Sequence, residues 1–303
     1  MSDSHGNELH LSAWDRFWFA PQALGIVSLL RGCFCAITAI YFLSSLPDVA
    51  DWYGDKSAFS QHNVAEFFAI AELQSETRWI LSPLFWIESV LGSKAWVHYL
   101  YLIAGVALCA ATALGRGGRI VPWVLWIVFV GWANRILFLA GRTETLLSLC
   151  LFACAIAPVA SAWRAGSNGK KHWLAGFAIR LLSVQVTIYG ILMCALMLSQ
   201  DVWWNGVGSV ALAAPVEDRT IDMTGILSTV FIRDVLTHFL VLALPLGLWL
   251  AWRNTGESLW PTRVGVGLLI AWSVVVAVLG SHWLFATVFA TACLSLSCQR
   301  RSG

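Results

Sequence analysis

Residues 131–149 read GWANRILFLAGRTETLLSL, with Asn134, Arg135, Arg142 and Glu144 standing inside an otherwise apolar run. About 20 residues of helix cross the hydrocarbon core of a bilayer. The apolar stretch from 120 to 163 is therefore two crossings, 120–140 and 143–163, that meet around Gly141. On this reading the charged residues sit at a tight hairpin near one membrane surface, and the rest of the chain divides in the same way.

The composition requires a membrane. Of 303 residues, 58% are hydrophobic and 12% charged, and the mean hydropathy is +0.72, which the surface of a water-soluble domain does not tolerate. Further apolar runs of spanning length fall at 24–45, 96–114, 176–199, 229–252, 263–280 and 282–298. They are too long, and too evenly apolar, for the alternating strands of a membrane barrel. The expected fold is all-α: a polytopic integral membrane helical bundle of about eight transmembrane helices. The segment WILSPLFWIESVLGS, residues 79–93, reaches only ~22 Å as helix and is expected to be a short interfacial or re-entrant element.

The polar, acidic start MSDSHGNELHLS lacks the basic region of a secretory signal, so the run at 24–45 is expected to be an uncleaved first span. The organisation expected is a polar tail (1–13), one transmembrane domain (14–298) and a basic tail (299–303). RAGSNGKKH, residues 164–172, has the composition of a flexible loop. All eight cysteines lie in or beside apolar segments, without a CxxC pair, and read as small core residues.

Lysine and arginine placement sets the orientation. Short connections carry Arg116 and Arg119, then Arg164, Lys170 and Lys171, then Arg253, and the tail carries Arg300 and Arg301. The long connection 46–95 holds seven acids against three bases, and 200–228 holds four acids against one. The expectation is a multi-pass protein of the plasma (inner) membrane with both termini cytoplasmic and both acidic loops outside.

Several polar residues map near the outer surface. Arg135 and Arg142 either snorkel there, with Glu144 paired to one of them, or meet an anionic ligand or acidic loop. Asp234 and His238, four apart in FIRDVLTHFL, share a helix face near the outer end of the sixth span. His282 in LGSHWLF marks the break between the last two spans. Arg31 lies about a third of the way into the first span, where an arginine needs an interior partner. Several tryptophans, Trp14 and Trp18 of WDRFWFAP among them, suit an interfacial girdle. No metal signature, phosphate-binding glycine loop or nucleophile elbow is present, and the scattered bases give no nucleic-acid footprint.

The order of short motifs resembles the HTTM (horizontally transferred transmembrane) domain, the membrane module shared with vitamin K-dependent gamma-carboxylases. WDRFWFAP, LGIVSLLRG and LPDVADWYG come first, then LGRGGRIVPWVLW, the pair Asn134 and Arg135, a glycine and acid before LLSLCLFACAIAP, then IYG, WWNG and GSHWLF. The resemblance spans roughly residues 14–295. It implies a helical membrane protein with a pocket open to the extracytoplasmic side, and a vitamin K-like quinone as cofactor. In the carboxylases a lysine shortly before the W-x-x-G motif activates the quinol. Counting back from Trp203 and Gly206, that lysine would fall at Met197 or Leu198. The four lysines here, Lys56, Lys94, Lys170 and Lys171, all lie outside the spans, and no lumenal domain is expected beyond the last span. Carboxylation of glutamate is therefore not expected.

The resulting expectation is a pocket for a quinone or other lipid-like ligand. Arg135, Asn134, Arg142, Glu144 and Arg31 are its candidate binding residues. His238, oriented by Asp234, and His282 are candidates for proton transfer. The alternative is a non-enzymatic membrane accessory for maturation or export of a secreted or membrane protein partner, docked on the acidic outer loops.

Overall fold

The computed structural model describes residues 12–54, 57, 59–60, 62–64, 66, 82–135, 141–159, 171–213, 215, 218–253 and 259–298. The outermost tails, the acids Asp55, Glu72, Glu76 and Glu217, residues 136–140 of the expected hairpin, residues 164–170 of the expected loop and the bases Arg300 and Arg301 lie outside the described residues.

Five helices are long and apolar enough to cross a membrane: α2 (Leu24–Ser45), α5 (Ala95–Ala113), α8 (Trp173–Leu198), α12 (Val230–Trp252) and α13 (Trp260–Gly280). Three shorter helices of mostly apolar sequence complete the packed body: α6 (Ile120–Arg135), α7 (Arg142–Ile156) and α14 (Trp283–Cys298). An all-α membrane fold is thus what the sequence forms, with five helices of full spanning length among the described residues. The expected runs at 120–140 and 143–163 are described as helix only over 16 and 15 residues.

Burial within α2 shows how these helices are placed. Val27, Leu30, Phe34, Ile37 and Tyr41 recur at helical spacing and are buried, while Leu29 and Ile40 are 56% and 59% exposed. An apolar face left open at that level is a face toward lipid, where hydrophobic contrast with the surroundings vanishes and packing comes from fit. Helices α2, α5, α6 and α7 pack as neighbours, as do α8, α12, α13 and α14, and α14 lies against both α2 and α7 to join the two groups. The tightest crossing is α12 on α13. A Cβ at Gly265 would stand 2.5 Å from the Ala251 nitrogen and 2.6 Å from the Gly247 oxygen, so only glycine lets the two backbones approach this closely. Pro245 sits inside α12. All eight cysteines are free thiols.

On one face of the bundle a two-residue ribbon, β1 (Gln22–Ala23) antiparallel to β2 (Lys171–His172), pairs Gln22 with His172 and Ala23 with Lys171. The end of the expected flexible loop is thus a strand. Helices α2 and α8 both start directly from this ribbon. The short α1 (Ala13–Phe19), capped by Ser12, packs on α8 beside it.

The opposite face carries short helices: α3 (Val49–Tyr53), α4 (Pro83–Leu91), α9 (Asp201–Trp204), α10 (Gly208–Leu212) and α11 (Thr224–Leu227). The segment 79–93, expected as a short interfacial or re-entrant element, contributes α4, nine residues long, and the hydroxyl of its capping residue Ser82 donates to the Gly131 carbonyl at 2.7 Å and so fastens it to α6.

Candidate functional site

A cavity of about 550 Å³ opens on the face opposite the ribbon. Its walls are apolar, formed by Met193 and Met197 of α8, Leu240 of α12, Trp272 and Val276 of α13, and Phe285 of α14. Its polar lining is Arg142, Thr143 and Glu144 from the start of α7, Gln200 and Trp203 around α9, and His282. An apolar chamber with a few convergent polar groups is the usual form of a small-molecule site.

The start of α7 sets the electrostatics. Glu144 reaches back to accept the Gly141 N–H at 2.7 Å, satisfying one of the four orphan donors of the helix end with a carboxylate at its positive pole. Glu144 therefore serves the helix end, and forms no ion pair with either expected arginine among the described residues. Arg142, the first residue of the helix, is exposed and has no hydrogen bond or ion pair among the described residues. A cation at a helix N-terminus opposes the helix dipole, so its position carries an electrostatic cost that the protein's described groups leave uncompensated.

His282 and Tyr189 both feel the Arg142 charge. The His282 ring lies over Gly280, where a Cβ would approach its Cδ2 to 2.7 Å. Partial enclosure first, and the Arg142 charge second, lower its pKa below the ordinary 6.5, so at neutral pH the ring is uncharged. Ser281, at φ 54°, makes the left-handed turn between α13 and α14. Its hydroxyl accepts the Thr220 N–H at 3.1 Å, and Trp283 Nε1 donates to the Thr220 hydroxyl at 2.9 Å, fixing the turn that presents His282. One turn below Met193 on α8, the Tyr189 hydroxyl is buried and unpartnered, with its ring against Phe285 and Phe289. The site can therefore offer an exposed guanidinium and a neutral imidazole at the polar end of an apolar chamber, with the Tyr189 hydroxyl buried behind the lining.

The other candidates lie elsewhere. Arg135 is buried in a separate cluster, where its Nε donates to both Glu88 oxygens at 2.9 and 3.2 Å and its Nη2 to the Phe59 carbonyl at 2.6 Å. Glu88 Oε1 is also 2.6 Å from His98 Nε2. Tyr53, Phe85 and Trp132 enclose the group. Arg135 thus joins α4, α5 and α6, and neither it nor the half-buried Asn134 lines the cavity. Arg31 donates from Nε and both Nη atoms to the carbonyls of Cys154, Ala157 and Pro158, capping the far end of α7, ~22 Å from Arg142.

Asp234 does not orient His238 through its carboxylate. His238 Nδ1 is 2.7 Å from the Asp234 backbone carbonyl, because an i,i+4 histidine on a helix can reach that oxygen directly. The Asp234 carboxylate meets Arg233 at 3.4 Å, and His238 is exposed outside the cavity.

Sequence reading missed Glu88, His98 and Tyr189. Glu88 was visible as a lone acid inside WIESVL, but its segment was too short to assign a partner. Among the described residues no group of three potential metal ligands exists. In comparisons with protein-family models, curated proteins and solved structures, the chain matches none of them.

Proposed function

We propose that this chain is an HTTM-type membrane protein that holds a quinone or other lipid-like amphiphile in the outward-opening cavity, without carrying out glutamate carboxylation. The observation that carries the reading is Arg142: an uncompensated guanidinium at a helix N-terminus, set at the mouth of an apolar chamber of about 550 Å³. An amphiphile satisfies both halves, its apolar body against Met193, Trp272 and Phe285 and its oxygen-bearing head against Arg142 and His282. Neutral His282 can take or return a proton at that head.

The resemblance supports the same location. The position of the carboxylase lysine falls at Met197 or Leu198, and Met197 is a cavity wall. A thioether has no proton to exchange at that place, so the cavity keeps the binding function and lacks that base. The topology proposed is eight spans, with α6, α7 and α14 crossing alongside the five long helices, in the plasma (inner) membrane with both termini cytoplasmic. In favour, Lys171, Arg116, Arg119 and Arg253 lie in connections of alternate parity to those of Asp48, Asp51, Asp201 and Asp222.

The test is mass spectrometry of lipids that co-purify with the protein in mild detergent, wild type beside Arg142→Ala. A quinone or isoprenoid enriched in wild type and lost from the variant supports the proposal. Bulk phospholipid alone in both sinks it. A second reading, docking of a secreted or membrane protein partner, is favoured by the exposed acids Asp48, Asp51, Asp201, Asp218 and Asp222 on that face. Loss of a co-purifying partner on neutralising those acids, with the lipid profile unchanged, would select it.

A further inference from the structure

On the ribbon face, Arg31 and Arg180 occupy equivalent places: each is the eighth residue of a helix that starts at the ribbon, α2 from Leu24 and α8 from Trp173. Their surroundings differ. Arg31 is satisfied by the carbonyls at the end of α7. Arg180 is 6% exposed, its Nη1 is buried with no acceptor, and its only described contact of polar character is with the Phe17 ring, 5.4 Å away. A second buried donor stands in the same cluster. Trp18 Nε1 is unpartnered, and its ring packs on Phe17 and Phe177 at 5.1 and 5.6 Å. The acid of α1, Asp15, is engaged by its own capping residue Ser12 at 2.8 Å.

A nearly buried guanidinium without an acceptor is costly, and in a membrane protein such a group marks a partner still to be supplied. Depth identifies the partner. Helix α8 has 26 residues, ~39 Å, against a hydrocarbon thickness of ~30 Å. Its first turns therefore project into the headgroup layer, and Trp173, 48% exposed, suits the aromatic belt there. The Arg180 Cα lies ~10 Å along the helix, and its side chain leans back toward the helix start, which lifts the guanidinium to the level of the phosphates.

We infer that Arg180 and Trp18 form a site on the ribbon face for the phosphodiester of an anionic phospholipid. The guanidinium fork meets the phosphate oxygens, the indole N–H adds a donor, and the Phe17–Phe177–Trp173 surface lies along the lipid's glycerol and upper acyl chain. Net negative charge is required because the site's cation has no other counter-charge among the described residues; a zwitterionic headgroup brings its own cation. This site is separate from the outward cavity and stands without it.

The experiment is native mass spectrometry of the full chain in detergent, offered equal amounts of phosphatidylglycerol and phosphatidylcholine. Wild type is expected to retain phosphatidylglycerol preferentially, and Arg180→Met to lower that preference about tenfold. Arg180→Lys retains part of it, and Trp18→Phe, which keeps the ring and removes one N–H, lowers it several-fold. If Arg180→Met does not fold, Trp18→Phe decides. Arg16→Gln removes an exposed cation on the same helix and is expected to change nothing. An unaltered preference in Arg180→Met overturns the site, as does an equal loss in Arg16→Gln, which would mean diffuse charge. Displacement of the lipid by excess inorganic phosphate would assign the site to free phosphate and overturn the lipid.

Discussion

Replacing Glu88 with Met should be among the most damaging single changes in the half of the bundle opposite the ribbon. The Glu88 carboxylate is buried and takes Arg135 Nε at 2.9 and 3.2 Å and His98 Nε2 at 2.6 Å. Removing it strands a buried guanidinium that already has one unpartnered nitrogen, Nη1. Deleting one member of a buried ion pair costs ~3–5 kcal/mol, while replacing both members by apolar groups of similar volume is often close to neutral. Arg135→Met alone should cost less, ~2–4 kcal/mol, because Glu88 keeps His98 as a partner. The double variant loses the Nη2 bond to Phe59, worth ~1 kcal/mol, and leaves buried His98 without its acceptor at a cost of ~1–3 kcal/mol, so it should lie ~2–4 kcal/mol below wild type. The singles therefore sum to far more than the double. The assay is reversible unfolding in mixed detergent–SDS micelles, followed by far-UV circular dichroism, for the four members of the cycle. If the double variant equals the sum of the singles to within ~0.5 kcal/mol, the two charges are not coupled and the description of this cluster is wrong.

Three further outcomes follow from particular contacts. His282 has a folded pKa below its ordinary 6.5, so the unfolded chain binds its proton first as the pH falls. Its contribution to stability should therefore decline as pH drops below about 6.5 and level off once the folded ring is also protonated; in Arg142→Ala the decline should be shallower, measured as thermal midpoint against pH. Gly265→Val should separate α12 from α13, since even a Cβ would stand 2.5 Å from backbone, and a loss of more than ~3 kcal/mol is expected; a variant as stable as wild type would refute the close crossing. Arg31→Met leaves the carbonyls of Cys154, Ala157 and Pro158 without their donors, and amide exchange should rise at the end of α7 while residues 142–146 keep their protection.

The apolar runs were legible because a bilayer imposes length and composition on any helix that crosses it. That is why the bounds at Leu24–Ser45 and Val230–Trp252 could be read to within a residue. Partners were not legible. Arg135 and Arg142 look alike in the sequence, seven residues apart at one hairpin, yet one is sealed against Glu88 and the other faces the cavity. The difference comes from α4, whose single buried acid lies 47 residues away in sequence. Spacing also misled at His238: i,i+4 places it over Asp234, but the backbone carbonyl lies nearer to the ring than the carboxylate does. Arg180 passed unnoticed in the apolar run 176–199, because one charge in a long span barely changes its hydropathy.

Helix α7 shows why the cavity end, and not the Arg31 or Arg135 cluster, is the place to look for the amphiphile. Arg31 at its C-terminus is a cation on the negative pole and takes up carbonyls the helix leaves open, so two costs cancel. Arg142 at its N-terminus is a cation on the positive pole with Glu144 already committed to Gly141. Stability alone would favour a neutral or acidic residue at that position. Replacing Arg142 with Ser should accordingly raise thermal stability in the ligand-free protein and lower it relative to wild type once an anionic or oxygen-headed amphiphile is bound. Measured on delipidated and lipid-reconstituted samples, that reversal of sign separates a binding arginine from a structural one; a variant destabilised in both states would make Arg142 part of the scaffold.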